Sequence, residues 1–168
     1  MPDRPIAELI DELLAAEKTL GGTPDWQPGP YEGEERLVIP LRVNGVSAAA
    51  ALIITGYPYI GHTKFRIMLC APKCVWRIDY ATDEHHVNSF NRPPDLLEYD
   101  FCEPHYHAWP DNRRFCTHNS LPERLENARI MPHDVRSFDT SLRWFCGQTD
   151  IVQPENGLIM LPPRRRLL

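Results

Sequence analysis

An α+β fold is predicted for this chain: an antiparallel meander of four to five strands, with an N-terminal helix and C-terminal helices on one face. Three observations predict it. Apolar residues recur at helical spacing near the N-terminus, alternate with polar ones through the next third, and return to helical spacing near the C-terminus. Strands grouped in sequence with helices at the ends give the α+β order. The 168 residues suit one domain over 1–168, and a composition of 42% hydrophobic and 24% charged residues argues against wholesale disorder.

Residues 1–22 read as the first helix. Asp3 can cap it, Pro5 is tolerated in the first turn, and Ile6, Leu9, Ile10, Leu13 and Leu14 form its apolar stripe. Gly21-Gly22 is the expected stop. A linker rich in Pro and Gly follows over 23–35.

The meander is expected over 36–81. Leu37, Ile39, Leu41 and Val43 alternate, Asn44-Gly45 is a two-residue type I′ turn, and 46–54 is apolar and strand-like. Pro40 places the first of these strands at an edge or a bulge. Segments 63–71 and 74–81 form a second pair around Pro72-Lys73. A two-residue loop there pairs Leu69 with Trp76, Ile67 with Ile78 and Phe65 with Tyr80 on an apolar face. The opposite face then carries Arg66, Asp79, Met68 and Arg77. Taken alone, that constellation also describes an ordinary surface ion pair.

Periodicity vanishes over 83–118, where five of the seven histidines fall. A short strand is expected within 99–107. Ser120 and Glu123 form a capping-box pattern for a helix to Arg129. A last helix starts near Ser137, with Phe138, Leu142 and Phe145 on one stripe, and stops at Gly147. Together these occupy 120–147. Ile151 and 158–161 offer a closing strand, and 162–168 is a tail whose Arg164-Arg165-Arg166 reads as a solvated charge run.

Charge and cysteines exclude several classes. The net charge of −5 argues against non-specific duplex DNA binding. Residues 1–35 hold nine acids against two bases, so the rest of the chain is close to neutral. No apolar run approaches the ~18–20 residues of a membrane span, and the acidic first 20 residues are unlike a secretory leader. Five cysteines without a CxxC pair read as reduced, packed thiols in a cytoplasmic protein. There is no GxGxxG, GxxxxGK[ST] or GxSxG.

His105-Tyr106-His107 is the sharpest local feature. On an extended chain both imidazoles share one face, which suits two metal ligands or an acid and a base at one phosphate. For a zinc-type centre the candidates are His105, His107, His86 and His118, with Asp111 as a carboxylate option. For metal-free cleavage of RNA, His105 and His107 share acid/base work and Arg77 and Asp79 complete the catalytic set. Arg66, Arg113, Trp109 and His85 then bind substrate through phosphate contacts and base stacking.

The run Trp76-Arg77-Ile78-Asp79-Tyr80, then His85-His86, then Pro104-His105-Tyr106-His107, resembles the core of small bacterial toxin-like domains of the TumE type. That resemblance covers about residues 63–118 and departs at Tyr106, where a lysine is expected, and in the C-terminal third. It implies a ribonuclease-like toxin with an antitoxin-like protein partner and with Arg77, Asp79, His105 and His107 in the pocket. The alternatives are a non-catalytic, metal-stabilised binding module and an accessory protein whose histidines simply pack.

Overall fold

The computed structural model describes residues 4–60, 63–81, 83–155 and 157–163. Asp3 and the Arg164–Arg166 run lie outside them. The described elements, in chain order, begin with α1 (Ile6–Ala15), β1 (Lys18–Leu20), β2 (Trp26–Pro28), β3 (Glu35–Val43) and β4 (Val46–Gly56). They continue with β5 (Phe65–Cys70), β6 (Cys74–Tyr80), β7 (His86–Val87), β8 (Asp100–Phe101) and β9 (His105–His107). Then come α2 (Trp109–Asn112), a 3₁₀ turn (Arg113–Phe115), β10 (Arg129–Ile130) and α3 (Phe138–Gln148).

The fold class is α+β as expected, but the sheet is larger than the predicted four to five strands. Eight strands join it in the order β1-β3-β4-β5-β6-β9-β10, with β2 also on β3, while β7 and β8 form a separate ribbon. Three of the extra strands are only two or three residues long, too short to show a period in sequence.

The meander follows its predicted register except at the tip of its second hairpin, where a bulge pairs Cys70 with Cys74 and the loop is three residues, 71–73, in place of the expected two. Asn44 and Gly45 both have positive φ (50° and 78°), the I′ signature, and Pro40 sits at a bulge against β4. Across β5 and β6 the pairs are Phe65–Tyr80, Arg66–Asp79, Ile67–Ile78, Met68–Arg77 and Leu69–Trp76. Alternation therefore sends Leu37, Ile39, Leu52, Ile54, Ile67, Leu69 and Ile78 into the core, all fully buried. Ile10 of α1 and Phe138, Leu142 and Phe145 of α3 join the same cluster.

Two helices differ from expectation. α1 ends at Ala15 rather than Gly21-Gly22, because Ala16 is extended and residues 18–20 pair with β3. The buried Lys18 side chain caps that helix, donating from Nζ to the carbonyls of Leu13, Leu14 and Ala16. Gly21 is used for close approach instead: a Cβ there would meet the Pro40 carbonyl oxygen at 2.8 Å. Pro5 stands at the N-cap position of α1.

The helix expected from Ser120 to Arg129 does not form. Ser120 bonds Thr117 through its hydroxyl, Glu123 pairs with Lys73, and Arg129 joins a strand against Tyr106. The capping box is realised at Ser137 and Thr140, which open α3. The closing strand reduces to one bridge of Ile151 with Lys18, and Ile159 and Leu161 enter the core without strand pairing. Among the described residues, no helix is long and apolar enough to cross a membrane.

Candidate metal centre

The strand registers assemble the site. On the sheet face opposite the core, Arg36, Thr55, Arg66, Asp79 and His105 follow one another across five strands. Val38, Ile53, Met68, Arg77 and His107 make the parallel row two residues along. β9 is locked in this orientation by Tyr106, whose ring stacks on Trp76 at 5.2 Å and meets Trp144 edge-on at 4.7 Å on the core side. Such aromatic pairs contribute ~0.5–1.5 kcal/mol beyond their buried area. With Tyr106 facing in, period-2 alternation turns both flanking imidazoles outward.

His86 comes from the β7–β8 ribbon. Its ring centre lies 5.0 Å from that of His105 and 4.9 Å from that of His107, and the last two are 5.3 Å apart. Phe101 of β8 covers His86 and His105, each at 5.4 Å. Buried asparagines anchor the ribbon. Asn88 donates to the carbonyls of Glu98 and Ala128 and accepts from the Ala128 N–H, while Asn127 accepts from the Ser89 N–H. Asn112 and Asn127 cross-link the following loop in the same way.

One ring nitrogen from each of His86, His105 and His107 lies within 4.8 Å of the other two. A tetrahedral zinc with Zn–N of ~2.0–2.1 Å sets its nitrogens about 3.4 Å apart, so modest side-chain movement closes the set. Hydrogen bonds pre-orient two of the rings. His105 Nδ1 donates to the Glu103 carbonyl (2.9 Å), leaving Nε2 with its lone pair. His86 Nε2 donates to Asn88 Oδ1 (3.0 Å), because that oxygen already accepts from a backbone N–H, and Nδ1 keeps the lone pair.

His107 has two states open to it. Its Nε2 is 2.8 Å from Arg77 Nη2 and 3.3 Å from Asp79 Oδ2, and its buried Nδ1 has no hydrogen-bond partner among the described residues. If Nε2 accepts from Arg77, an N–H is orphaned at Nδ1. If Nε2–H donates to Asp79, a lone pair is orphaned there. An unmet buried polar group costs about 1–3 kcal/mol. A cation held on Nδ1 would satisfy the second state, with Asp79 orienting the ring as carboxylates do behind metal-bound imidazoles.

Asp79 is the electrostatic hub. It accepts from Arg66 Nε and from Arg77 Nε (2.6 Å) and is only 3% exposed. Burial works to raise its pKa, but the bond with His107 and the charges of Arg77 and Arg66 outweigh it and hold the carboxyl far below the usual range. Burial also pushes His107 down to about 3, so that imidazole is neutral. His86 is shifted down as well, first by burial and then by His105.

The remaining sequence candidates lie elsewhere. His85 points away from His86 and faces Asp100 at 3.7 Å on the exposed side of the ribbon. His118 is an exposed loop residue whose carbonyl accepts from Ile6 N–H. Trp109 is core, and it shares Asp11 with Arg113: the indole N–H donates at 2.7 Å and the guanidinium pairs at 2.7–3.1 Å. Neither residue faces the histidines. Asp111 is paired by both guanidinium arms of Arg129 (2.7 Å).

Sequence reasoning missed the mouth of the site. A cavity of about 390 Å³ is lined by Arg77, His86, Val87, Arg124, Leu125 and Glu126. Arg124 and Glu126 pair with one another at 2.8 Å. Their positions follow from the unpredicted loop at 116–128, and no local motif marks them.

No protein-family model, curated protein or solved structure matches the chain.

Proposed function

We propose that this protein binds one divalent transition-metal ion, zinc in the first instance, through His86, His105 and His107, and that the loaded centre acts on phosphodiesters of RNA. The convergence of three imidazole nitrogens within 4.8 Å carries the reading. Three neutral nitrogens leave a fourth place open, the pattern of catalytic rather than structural zinc. A metal held by these three imidazoles would supply Lewis acidity and, at its fourth position, a water activated near neutral pH.

The side chains around the ion support a phosphate ligand. His86 and Arg77 share a cavity with Arg124, so cationic groups stand beside the open position. Glu126 in the same cavity holds Arg124 in place and is a candidate proton acceptor. The geometry favours a metal over a metal-free acid/base pair. His105 and His107 are 3% and 0% exposed, and His107 is neutral well into the acid range. Acid/base work needs an imidazole within reach of the proton it moves.

The test uses the full chain purified without a histidine tag. About one zinc per chain is expected, reduced to background by His105→Ala or His86→Ala, with melting temperature lowered by chelator. Absence of bound metal, together with no effect of added zinc on the melt, overturns the reading. Single-stranded RNA should be cleaved by the loaded protein, and Arg77→Lys should weaken cleavage while zinc content stays near one. Stoichiometric zinc with no cleavage overturns the phosphodiester half alone.

A further inference from the structure

The tip of the β5–β6 hairpin carries a second chemical feature, independent of the histidines. Cys70 and Cys74 are direct cross-strand partners there, at a bulge, and Ala71 N–H closes the loop onto the Lys73 carbonyl at 2.8 Å. Antiparallel partners have Cα atoms ~4.5 or ~5.5 Å apart, and both separations fall in the range a disulfide spans. Both thiols are free and partly exposed, and the Cys74 thiol donates to the Trp76 carbonyl at 3.4 Å.

The surroundings make the two sulfurs unequal. The neighbouring Cys74 thiol, with the positive charges of Arg36 and Arg77, holds the Cys70 thiol below its ordinary value against the effect of burial. Proximity to Cys70 and burial raise Cys74. Arg36 Nε is buried with no hydrogen-bond partner among the described residues, so that guanidinium has an unmet donor. Cys74, its S–H committed to the Trp76 carbonyl, is the thiol that stays protonated, and Cys70, under the arginine charges, is the nucleophile.

We propose that Cys70 and Cys74 form a peroxide-reactive dithiol, a reversible oxidation site in which Cys70 is oxidised first and Cys74 resolves it. The Cys70 thiolate attacks one oxygen of hydrogen peroxide, the O–O bond breaks, and the departing hydroxide takes up a proton as water. Cys70 is then a sulfenic acid. The Cys74 sulfur attacks the Cys70 sulfur, the S–O bond breaks, and a second water leaves with the Cys74 proton. Two thiols lose two electrons in total, and one peroxide becomes two waters.

Treating the reduced full chain with hydrogen peroxide, capping remaining thiols and digesting with trypsin tests this directly. Cleavage after Arg66, Lys73 and Arg77 separates the two cysteines, so a disulfide appears as the 67–73 and 74–77 peptides linked together. The linked species should form intramolecularly, ahead of modification at the exposed Cys102, and disappear with dithiothreitol. In Cys74→Ser, dimedone should trap a sulfenic acid on Cys70; in Cys70→Ser, Cys74 should stay unlabelled. Oxidation of Cys102 with no 70–74 link overturns the proposal. So does labelling of Cys74 in Cys70→Ser at the rate seen for Cys70 in Cys74→Ser.

Discussion

His107 Nε2 lies 3.3 Å from Asp79 Oδ2 on the neighbouring strand, and both side chains are almost completely buried. The carboxylate cannot be moved without stranding two arginines, and the imidazole cannot be charged without cost. Stability and site geometry therefore depend on the same atoms.

Asp79→Asn removes the charge that compensates Arg66 and Arg77. Breaking a buried ionic group from one side costs about 3–5 kcal/mol. Urea unfolding of the metal-free protein should show a loss of that size. If the variant folds, its zinc affinity should fall about 10–100-fold, as for other partners behind metal-bound imidazoles.

Acid should destabilise the metal-free protein before ordinary carboxylates titrate. His107 is neutral in the fold down to about 3, while an unfolded imidazole titrates near ~6.5. Between those values the unfolded chain binds the extra proton, so stability rises with pH and is lost as pH falls toward 3. One proton corresponds to a slope of about 1.4 kcal/mol per pH unit. Asp79, whose folded pKa is depressed, adds a further loss once pH falls below ~3.9. Urea midpoints measured from pH 7 to pH 4 in chelator should follow this slope, and His107→Phe should flatten the upper part.

Asn88→Ala removes two donors and one acceptor that tie the β7–β8 ribbon to residues 98 and 128. The orphaned backbone groups cost about 1–3 kcal/mol each where water cannot reach them. Amide exchange should accelerate in the 83–101 segment and leave β3–β6 unchanged. Zinc binding should weaken because His86 is no longer held over β9.

Gly45→Ala tests the hairpin. A Cβ at Gly45 meets nothing within 4 Å, so the cost is confined to its φ of 78°. About 1–2 kcal/mol is expected for an L-residue held there. Chemical denaturation reads it, and zinc binding should be unaffected.

The central hairpins were legible in the chain because their information is local. Alternation at 37–43, the Asn44-Gly45 turn and the matched apolar patterns of 65–69 and 76–80 set the register that places Arg66, Arg77 and Asp79 on one face, while the bulge beside Pro72-Lys73 left no local signal. The pairing of His105 with His107 followed from the same period. The capping-box pattern at Ser120 misled because three residues of side-chain chemistry compete with tertiary contacts: Glu123 finds Lys73, and Asn127 finds Asn112 and Asp111.

Which candidates would converge was not legible. His85 and His86 are neighbours in sequence, yet strand alternation and the Asn88 anchor send one to solvent and the other to the cluster. Arg113 matched Arg77 by residue type and Trp109 offered a stacking surface, yet Asp11, far away in sequence, claims them both. Arg124 and Glu126 reach the site on an irregular loop with no periodicity to read.

By itself, then, the sequence determined the α+β class, the register of the central strands, the common face of Arg66, Arg77 and Asp79, and the shared side of His105 and His107 on their own strand, because turns and period-2 patterning act over a few residues. Only the tertiary structure decided that β9 lies against β6, that His86 joins it, and that Cys70 faces Cys74 across a bulge. Those outcomes depend on packing of Tyr106 and on buried asparagine bonds between distant segments, interactions whose strength comes from exclusion of water and which no local window contains.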